Sequence, residues 1–378
     1  MNQVDNRRLT YLDGIRGIMA INVVFNHFFV VFFPDLYLLD NGENFFNATP
    51  FNALYNGTTA VQYFFVLSGF LTAYLMFQKN ELKAKTVILK SINRYFRLIP
   101  VIFVVVFLVY IFMKLDLLYN MKIGREMAEL YCNFEPSFVG MLKDAFIDTF
   151  INKSAYNGPF WTIKFDFFGY IATLVMVYII KNIKPFYKFR KVLIVLYTIA
   201  LTYISVNLFS FGIGMLIADI CVTEREGNEK LKKIFKVIAG IVGLYFACIT
   251  YLPVGIYRWV ENINIFNKTQ VFCAFGCALC IYALFHSESL QKFFSNKIFK
   301  FFGKISFTIY SFHWLCILSL QNFLHYVFSQ TLSYEASAWL SFGITLPVII
   351  LVAYIMYFLL EKRRIIDVEK MVKKFEKN

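Results

Sequence analysis

The chain has 378 residues, of which 59% are hydrophobic and 16% are charged, and its formal net charge is +14. This apolar fraction exceeds the roughly 45–50% of soluble domains, which excludes an ordinary soluble enzyme. Apolar runs of about 20 residues recur along the whole chain, and each is long enough to cross a bilayer. The sequence therefore predicts an all-α, polytopic integral membrane protein that forms one domain over residues 1–378.

Ten membrane spans are predicted, with both termini in the cytoplasm. In chain order they cover about residues 15–33, 58–77, 98–113, 165–180, 192–206, 207–221, 237–252, 270–285, 305–327 and 337–360. The longest piece outside the membrane is the predicted outer loop 114–164. A charged cytoplasmic tail, 361–378, follows the last span.

Lysine and arginine are unevenly divided between the connections of these spans. The segments predicted to be cytoplasmic hold 29 of the 38, and those predicted to be outside hold 7. A bias that alternates from loop to loop sets the orientation of a membrane protein. The positive charge therefore indicates topology and contact with anionic membrane lipids, and we expect no nucleic-acid partner.

The seven cysteines show no spacing typical of metal ligands, so no metal site is predicted. Cys273, Cys277 and Cys280 follow a helical period within one span, which favours packing as small apolar residues. The N-terminus lacks a small-residue cleavage site, and Arg16 interrupts the apolar run where a signal peptide would have its core. We therefore expect the first span to be retained.

The first span, in the stretch "LDGIRGIMAINVVFNHFF", carries two ionisable side chains. Arg16 and His27 are eleven residues apart, which places both on one helical face and separates them by about 16 Å along the axis. Arg16 lies near the predicted cytoplasmic surface, where a simple anchoring role is the alternative. His27 lies deep in the membrane, where an ionisable group usually marks a site or a pathway.

Four further positions in the second span and before the third span have a functional and a structural interpretation. Arg94 and Arg97 are spaced i, i+3 on one helical face, which suits phosphate binding or positive-inside anchoring. Ser68 and Gly69 lie midway along the second span, where small residues either line a site or let two helices approach closely.

Three residues of the fourth and ninth spans complete the set of candidates. Trp161 and Asp166 are predicted to enter from the outer side, where Trp161 is either a ligand contact or an interfacial anchor. His313 is predicted at mid-depth, where it either contacts a substrate or hydrogen-bonds to a neighbouring helix.

Seven segments of the chain together resemble the family 3 membrane acyltransferases, in the order that is expected for that family. These segments are "LDGIRGIMAINVVFNHF" (12–28), "VQYFFVLSGFLTAYL" (61–75), "INRYFRLIP" (92–100), "PFWTIKFDFFGY" (159–170), "FSFGIGMLIA" (209–218), "FGKISFTIYSFHW" (302–314) and "LVAYIMYFLLEK" (351–362). The chain departs from the family at two positions. Gln62 stands where the family often has an acid, and Asp166 stands where it usually has glutamate.

The resemblance implies an O-acyltransferase that moves an acyl group from cytoplasmic acyl-CoA to a hydroxyl of a cell-envelope sugar or lipid-linked saccharide. The expected donor is acetyl-CoA, a co-substrate, and no tightly bound cofactor is expected. His27 is the expected general base, with Arg16 and Asp166 as further catalytic residues. Asp166 is expected either to orient His27 or to bind the acceptor.

The resemblance also divides the remaining candidates between the two substrates. The residues expected at the acyl donor are Arg16, Arg94, Arg97, Ser68 and Gly69. The residues expected at the acceptor are Trp161, Asp166 and His313. The expected location is the cytoplasmic (inner) membrane of a bacterium.

Two other functions remain open at this point. A transporter or flippase for a lipid-linked saccharide would use His27 and Asp166 as a proton relay. A purely structural membrane scaffold is the other alternative, and it leaves the deep His27 and the order of the motifs unexplained.

Overall fold

A computed structural model describes residues 9–34, 48–119, 132–223, 229–250 and 252–362, and these residues form helices and no strands. The α-helices are α1 (Thr10–Phe32), α2 (Gly57–Phe77), α3 (Ala84–Lys114), α4 (Phe138–Lys143), α5 (Ile163–Asn182), α6 (Lys184–Lys188), α7 (Arg190–Ile204), α8 (Val206–Thr223), α9 (Glu229–Ala247), α10 (Lys268–Phe285), α11 (Glu288–Phe294), α12 (Lys297–Lys304), α13 (Ser306–Cys316), α14 (Asn322–Phe328) and α15 (Tyr334–Met356). A short helix, Thr149–Ile151, follows α4. The predicted tail lies almost wholly outside the described residues.

Short turns of other helical types extend or join these helices. The 3-10 turns are Pro50–Leu54, Gly158–Thr162 and Gly255–Asn262. The π-helical turns are Asp144–Asp148, Ile317–Gln321 and Tyr357–Glu361, which continue α4, α13 and α15.

Seven of the described helices are long and apolar enough to cross a membrane: α1, α2, α3, α5, α8, α10 and α15. The pair α12 and α13–α14, bent by 66°, would add an eighth. The predicted spans 192–206 and 237–252 correspond to α7 and α9. The 15 residues of α7 cover only about 22 Å, and the first half of α9 is rich in lysine. The all-α membrane class is confirmed, whereas the count of ten spans is not, and the orientation stays a prediction.

Helix α1 joins two apolar clusters. Its second half, with Val24 and Phe28, packs against α3, α13 and α15. Its first half, with Leu12, belongs to a second cluster that includes residues of α2, α5, α8 and α10, and the close approach of Gly14 and Gly17 packs it on α11 and α12. Arg16 therefore lies on the half of α1 that belongs to one cluster, and His27 lies on the half that belongs to the other.

Helices α2 and α8 pack with their backbones in close contact. A Cβ atom added to Gly69 would overlap the backbone carbonyl of Phe211, and one added to Gly214 would overlap that of Val66. Close approach of this kind requires residues without a side chain. The packing interpretation of Gly69 therefore fits the structure.

Helix α3 is longer than the predicted third span. Its 31 residues cover about 46 Å and include Arg94 and Arg97, which were predicted to precede the span. The second half of the predicted outer loop 114–164 packs against this helix. The hydroxyl of Tyr95 donates to the carbonyl of Phe146 at 2.8 Å. The chain thus returns along α3 before α5 begins.

Two anchors hold this returning segment in place. Asp144 is buried, and its carboxylate accepts from the Ser154 hydroxyl at 2.6 Å and from the Ala155 backbone N–H at 2.7 Å. Burial raises the pKa of Asp144, and the two hydrogen bonds oppose that shift. Further on, the Asn157 amide donates to the carbonyl of Ser311 on α13 at 3.0 Å. The start of α5 is thereby fixed beside α13.

Candidate active site

A cavity of about 380 Å³ lies between α2, α3, α5 and α13. Helix α2 lines it from Val61 to Met76, which is about 22 Å of helix axis. Helix α3 lines it with one face at an i, i+3, i+4, i+7 spacing: Lys90, Asn93, Arg94 and Arg97. The cavity therefore extends along most of the length of the second span.

One end of the cavity, the basic end, is formed by Arg16, Lys90, Arg97 and Glu361. Arg16 also lies 3.6 Å from the carboxylate of Asp13 (Nη1 to Oδ1), which is a partly exposed pair of modest strength. Three cations gathered around one end of a cavity favour the binding of an anionic group, and guanidinium groups suit phosphate in particular.

An ion pair joins α3 to α5 in the cavity wall, at Arg94, which lies between Lys90 and Arg97 along α3. Nη2 of Arg94 lies 2.6 Å from Oδ1 and 2.5 Å from Oδ2 of Asp166, and the Ser68 hydroxyl donates to Oδ1 at 3.3 Å. The guanidinium of Arg94 also lies 4.9 Å from the ring centroid of Tyr170. Nε of Arg94 is buried and has no hydrogen-bond partner among the described residues. The pair therefore leaves this N–H donor unsatisfied within the packed wall of the cavity.

The opposite end, the deep end, is formed by the start of α5 and by α13. The hydroxyls of Thr162 and Tyr310 lie 2.6 Å apart, and the Tyr310 hydroxyl donates to the carbonyl of Pro159. The Tyr310 ring lies 6.0 Å from the ring of His313, one helical turn farther along α13. Tyr310 thus separates the cavity from a pair of histidines.

His27 and His313 form that pair, with Nδ1 of His27 2.9 Å from Nε2 of His313. Each Nδ1 also faces a backbone carbonyl, that of Val23 at 3.0 Å for His27 and that of Ile309 at 3.2 Å for His313. A carbonyl only accepts, so both Nδ1 atoms carry the hydrogen in the neutral rings. The contacts therefore assign Nε2 of His313 as the acceptor, and they leave the lone pair of His27 on Nε2.

The structure brings five of the sequence-predicted residues together along the cavity: Arg16, Ser68, Arg94, Arg97 and Asp166. Four others do not line it: Gly69, which is buried against α8, Trp161, which is 40% exposed beside Phe165, and the paired His27 and His313. His313, predicted to bind the acceptor, is fully buried and bonds to His27 instead. Asp166, predicted to orient His27, bonds to Arg94.

Among the cavity residues that were not singled out from the sequence are Lys90, Thr162, Tyr310 and Glu361. Lys90 precedes Arg94 and Arg97 on the same helical face, so extending that face by one turn would have identified it. Tyr310 is one turn before His313, but aromatic residues are too common in this chain to be informative. Glu361 directly follows an apolar run. An acid at the end of a membrane span is expected there simply because the span ends, so its position did not indicate a site.

The amide at Gln62 has a structural role. Its Nε2 donates to Oδ1 of Asn207 at 3.3 Å, and its Oε1 accepts from the Ser210 hydroxyl, which links α2 to α8. An amide both donates and accepts, whereas an ionised acid only accepts. The departure from the acid expected at this position therefore fits the partners that α8 supplies.

Comparison with known proteins gives one match over most of the chain. The family model described as an acyltransferase domain matches residues 9–358. No match was found among curated proteins or among solved structures. Within the part of the chain that the structure describes, no group of three or more His, Cys, Asp and Glu side chains is placed to hold a metal ion.

Proposed function

The chain belongs to acyltransferase family 3, and from that membership we propose that it is a membrane O-acyltransferase that uses acyl-CoA as its donor. The acyl group is acetyl, and the acceptor is a hydroxyl of a cell-envelope sugar or of a lipid-linked saccharide. The observation that supports this proposal best is the cavity, which has cations at one end and leads toward the histidine pair at the other.

The basic end receives the phosphates of the donor. Arg16, Lys90 and Arg97 supply three positive charges there, and planar guanidinium groups hold phosphate oxygens in pairs. This end faces the cytoplasm of a bacterium, where acyl-CoA is made, and the distribution of lysine and arginine along the sequence supports that orientation. The pantetheine arm then extends along α2 past Ser68.

The thioester lies near Arg94 and the deep end. The guanidinium of Arg94 lines the cavity, and its positive charge stabilises the carbonyl oxygen of the thioester, on which negative charge develops during acyl transfer. Asp166 holds Arg94 in position through the ion pair, and Ser68 supports Asp166. This role for Asp166 replaces the two roles expected from the sequence.

His27 is the general base. Its Nε2 takes the proton of the acceptor hydroxyl while the oxygen attacks the thioester carbonyl, and the C–S bond then breaks to release CoA as the thiolate, which takes up a proton. Nδ1–H of His27 donates to His313, which holds the ring in the tautomer that exposes the Nε2 lone pair. Such a base is typically worth about 10²–10⁴-fold in rate.

The proton-relay transporter is the less favoured function. It needs His27 and Asp166 to exchange protons, directly or through a chain, but Asp166 bonds to Arg94 and Ser68, whereas His27 bonds to His313. The two predicted members of the relay therefore have separate partners.

The proposal is tested with membranes that express the wild type or His27→Ala and are supplied with radiolabelled acetyl-CoA. We expect label in glycan or lipid-linked saccharide with the wild type, and a loss of at least about 100-fold with His27→Ala at equal protein level. Equal labelling by both proteins would refute His27 as the base. No acetyl-CoA-dependent labelling by the wild type would refute the enzymatic function.

A further inference from the structure

Glu361 lines the cavity, and the reaction proposed above gives it no role. It ends the π-helical turn that continues α15, and it lies at the basic end with Arg16 and Arg97. Its carboxylate is within electrostatic range of both guanidinium groups. A negative charge at a site for a polyanion repels the phosphates that the arginines attract, so its presence there needs an explanation.

Charge attraction holds this carboxylate more than hydrogen bonds do. Oε1 of Glu361 is buried and has no hydrogen-bond partner in the described part of the chain. The next cation along the chain, Lys362, places its ammonium 4.2 Å from the ring centroid of Phe358. A buried carboxylate that lacks part of its hydrogen bonds is costly, and the positive charges of Arg16 and Arg97 offset part of that cost. The carboxylate of Glu361 is therefore attracted to the two arginines, and a phosphate competes with it for their positive charges.

Building on the proposed use of acyl-CoA, we infer that Glu361 is a resident counter-ion of Arg16 and Arg97, which the phosphates of the donor displace. The free energy that is needed to displace the carboxylate weakens the binding of the donor. It weakens the binding of the product CoA equally, because both carry the same phosphates. Glu361 thus determines donor affinity and favours release of the product, a step that limits the turnover of many enzymes.

The test measures KM for two donors with the wild type and with Glu361→Gln, which removes the charge and keeps the shape. With acetyl-CoA we expect KM to fall about tenfold in Glu361→Gln, because the competing charge is lost. With S-acetylpantetheine, which has the same thioester and arm but no phosphate, we expect equal KM values. The matched control is Glu335→Gln, the same substitution at an exposed position in the first turn of α15, which should leave both KM values unchanged.

Other outcomes separate this inference from the function on which it rests. A wild type that transfers acetyl from neither donor contradicts the proposed function itself. An active wild type whose KM for acetyl-CoA is unchanged or raised in Glu361→Gln overturns the counter-ion role alone, as does an equal fall in KM for both donors. If Glu361→Gln does not accumulate in the membrane, Glu361→Asp is used for the same KM measurement, because its side chain is one methylene shorter and holds the charge farther from Arg16 and Arg97. A KM for acetyl-CoA below that of the wild type supports the role, and an equal or higher KM overturns it.

Discussion

Three pairs join ionisable side chains within the described bundle. Asp166 pairs with Arg94, His27 pairs with His313, and the buried Asp219 accepts from Nε of Arg190 at 2.6 Å. An isolated charge in an apolar environment costs several kcal/mol, so a partner is needed before such a residue can be kept there. Pairing also fixes the position of each group, which is what a catalytic site requires.

The Arg94–Asp166 pair should show strong coupling in a double-mutant cycle. Asp166→Ala leaves the guanidinium of Arg94 without its partner, so we expect Arg94→Ala and Asp166→Ala each to lower the free energy of unfolding. The double variant should lose much less than the sum, with a coupling of about 1–3 kcal/mol. Unfolding in mixed detergents, followed by circular dichroism, measures the four proteins.

A control cycle uses the exposed pair Lys143–Asp148, whose side chains approach to 3.3 Å while Lys143 is 62% exposed. Exposed pairs contribute about 0–1 kcal/mol, so coupling near zero is expected there. Additive losses at Arg94 and Asp166 would contradict the pairing.

Individual residues also show how far the sequence could predict the site. The periodicity of α3 placed Arg94 and Arg97 on one face, and both line the cavity. The contact between His27 and His313 joins residues 286 positions apart, and it depends on the rotation and depth of two helices. Hydrophobic periodicity indicates which residues share a helix face, but it does not indicate which other helix that face meets.

At the scale of elements, the close packing of α2 on α8 fixes which residues of α2 face the cavity. Ser68 faces Asp166, while its neighbour Gly69 faces the backbone of α8. The sequence left donor binding and close helix packing open for both residues, and the family resemblance implied donor binding for both. Adjacent helical positions point about 100° apart, so one lines the cavity and the other packs.

Gly69→Ala should destabilise the protein, because the new methyl group overlaps the carbonyl of Phe211. We expect a loss of about 1–3 kcal/mol in the free energy of unfolding. Gly343→Ala is the matched control, because a Cβ at Gly343 meets no atom within 4 Å. Thermal stability in detergent, read by fluorescence-detected size exclusion, compares them. Equal stability of the two variants would show that α2 and α8 are not in close contact.

The stability of the segment that returns along α3, residues 138–162, should depend on pH through the ionisation of Asp144. Burial raises the pKa of this carboxyl, so the folded protein holds the proton more tightly than the unfolded chain does. The free energy of unfolding should therefore fall as the pH rises from the ordinary aspartate value of about 3.9 through the raised folded value. Asp144→Asn removes this ionisation.

The stability of the wild type relative to Asp144→Asn should accordingly decrease as the pH rises above the ordinary aspartate pKa of about 4, as measured by thermal unfolding in detergent. A constant difference would mean that the pKa of Asp144 is the same in both states, and an increasing difference would mean that it is lowered by folding.

The path of the chain near Asp144 also explains why the number and limits of the spans were harder to predict than the class. Hydropathy locates apolar runs, and it placed α1 and α2 to within a few residues of their ends. It does not distinguish a loop from a segment that packs back against the bundle, as residues 138–162 do. The meeting of Arg94 with Asp166 depends on that return, so the sequence assigned the two residues to opposite sides.

At the scale of the whole molecule, the cavity runs from a basic end to Tyr310, which stands between it and a pair of histidines, within a bundle of helices long enough to span a membrane. An acyl donor entering at the basic end would present its thioester toward the other side. The two substrates would then approach from opposite sides of the membrane, and each would meet its own part of the site.

The most direct test of this account uses sealed membrane vesicles of the two orientations, supplied from outside with radiolabelled acetyl-CoA. Inside-out vesicles, which expose the cytoplasmic face, should transfer label to saccharide in the lumen, and His27→Gln should abolish that transfer. Right-side-out vesicles should transfer label only after permeabilisation, because the basic end then faces the lumen. Equal transfer by both kinds of intact vesicle, or labelled saccharide on the cytoplasmic face alone, would contradict a donor cavity that carries the acyl group across the membrane.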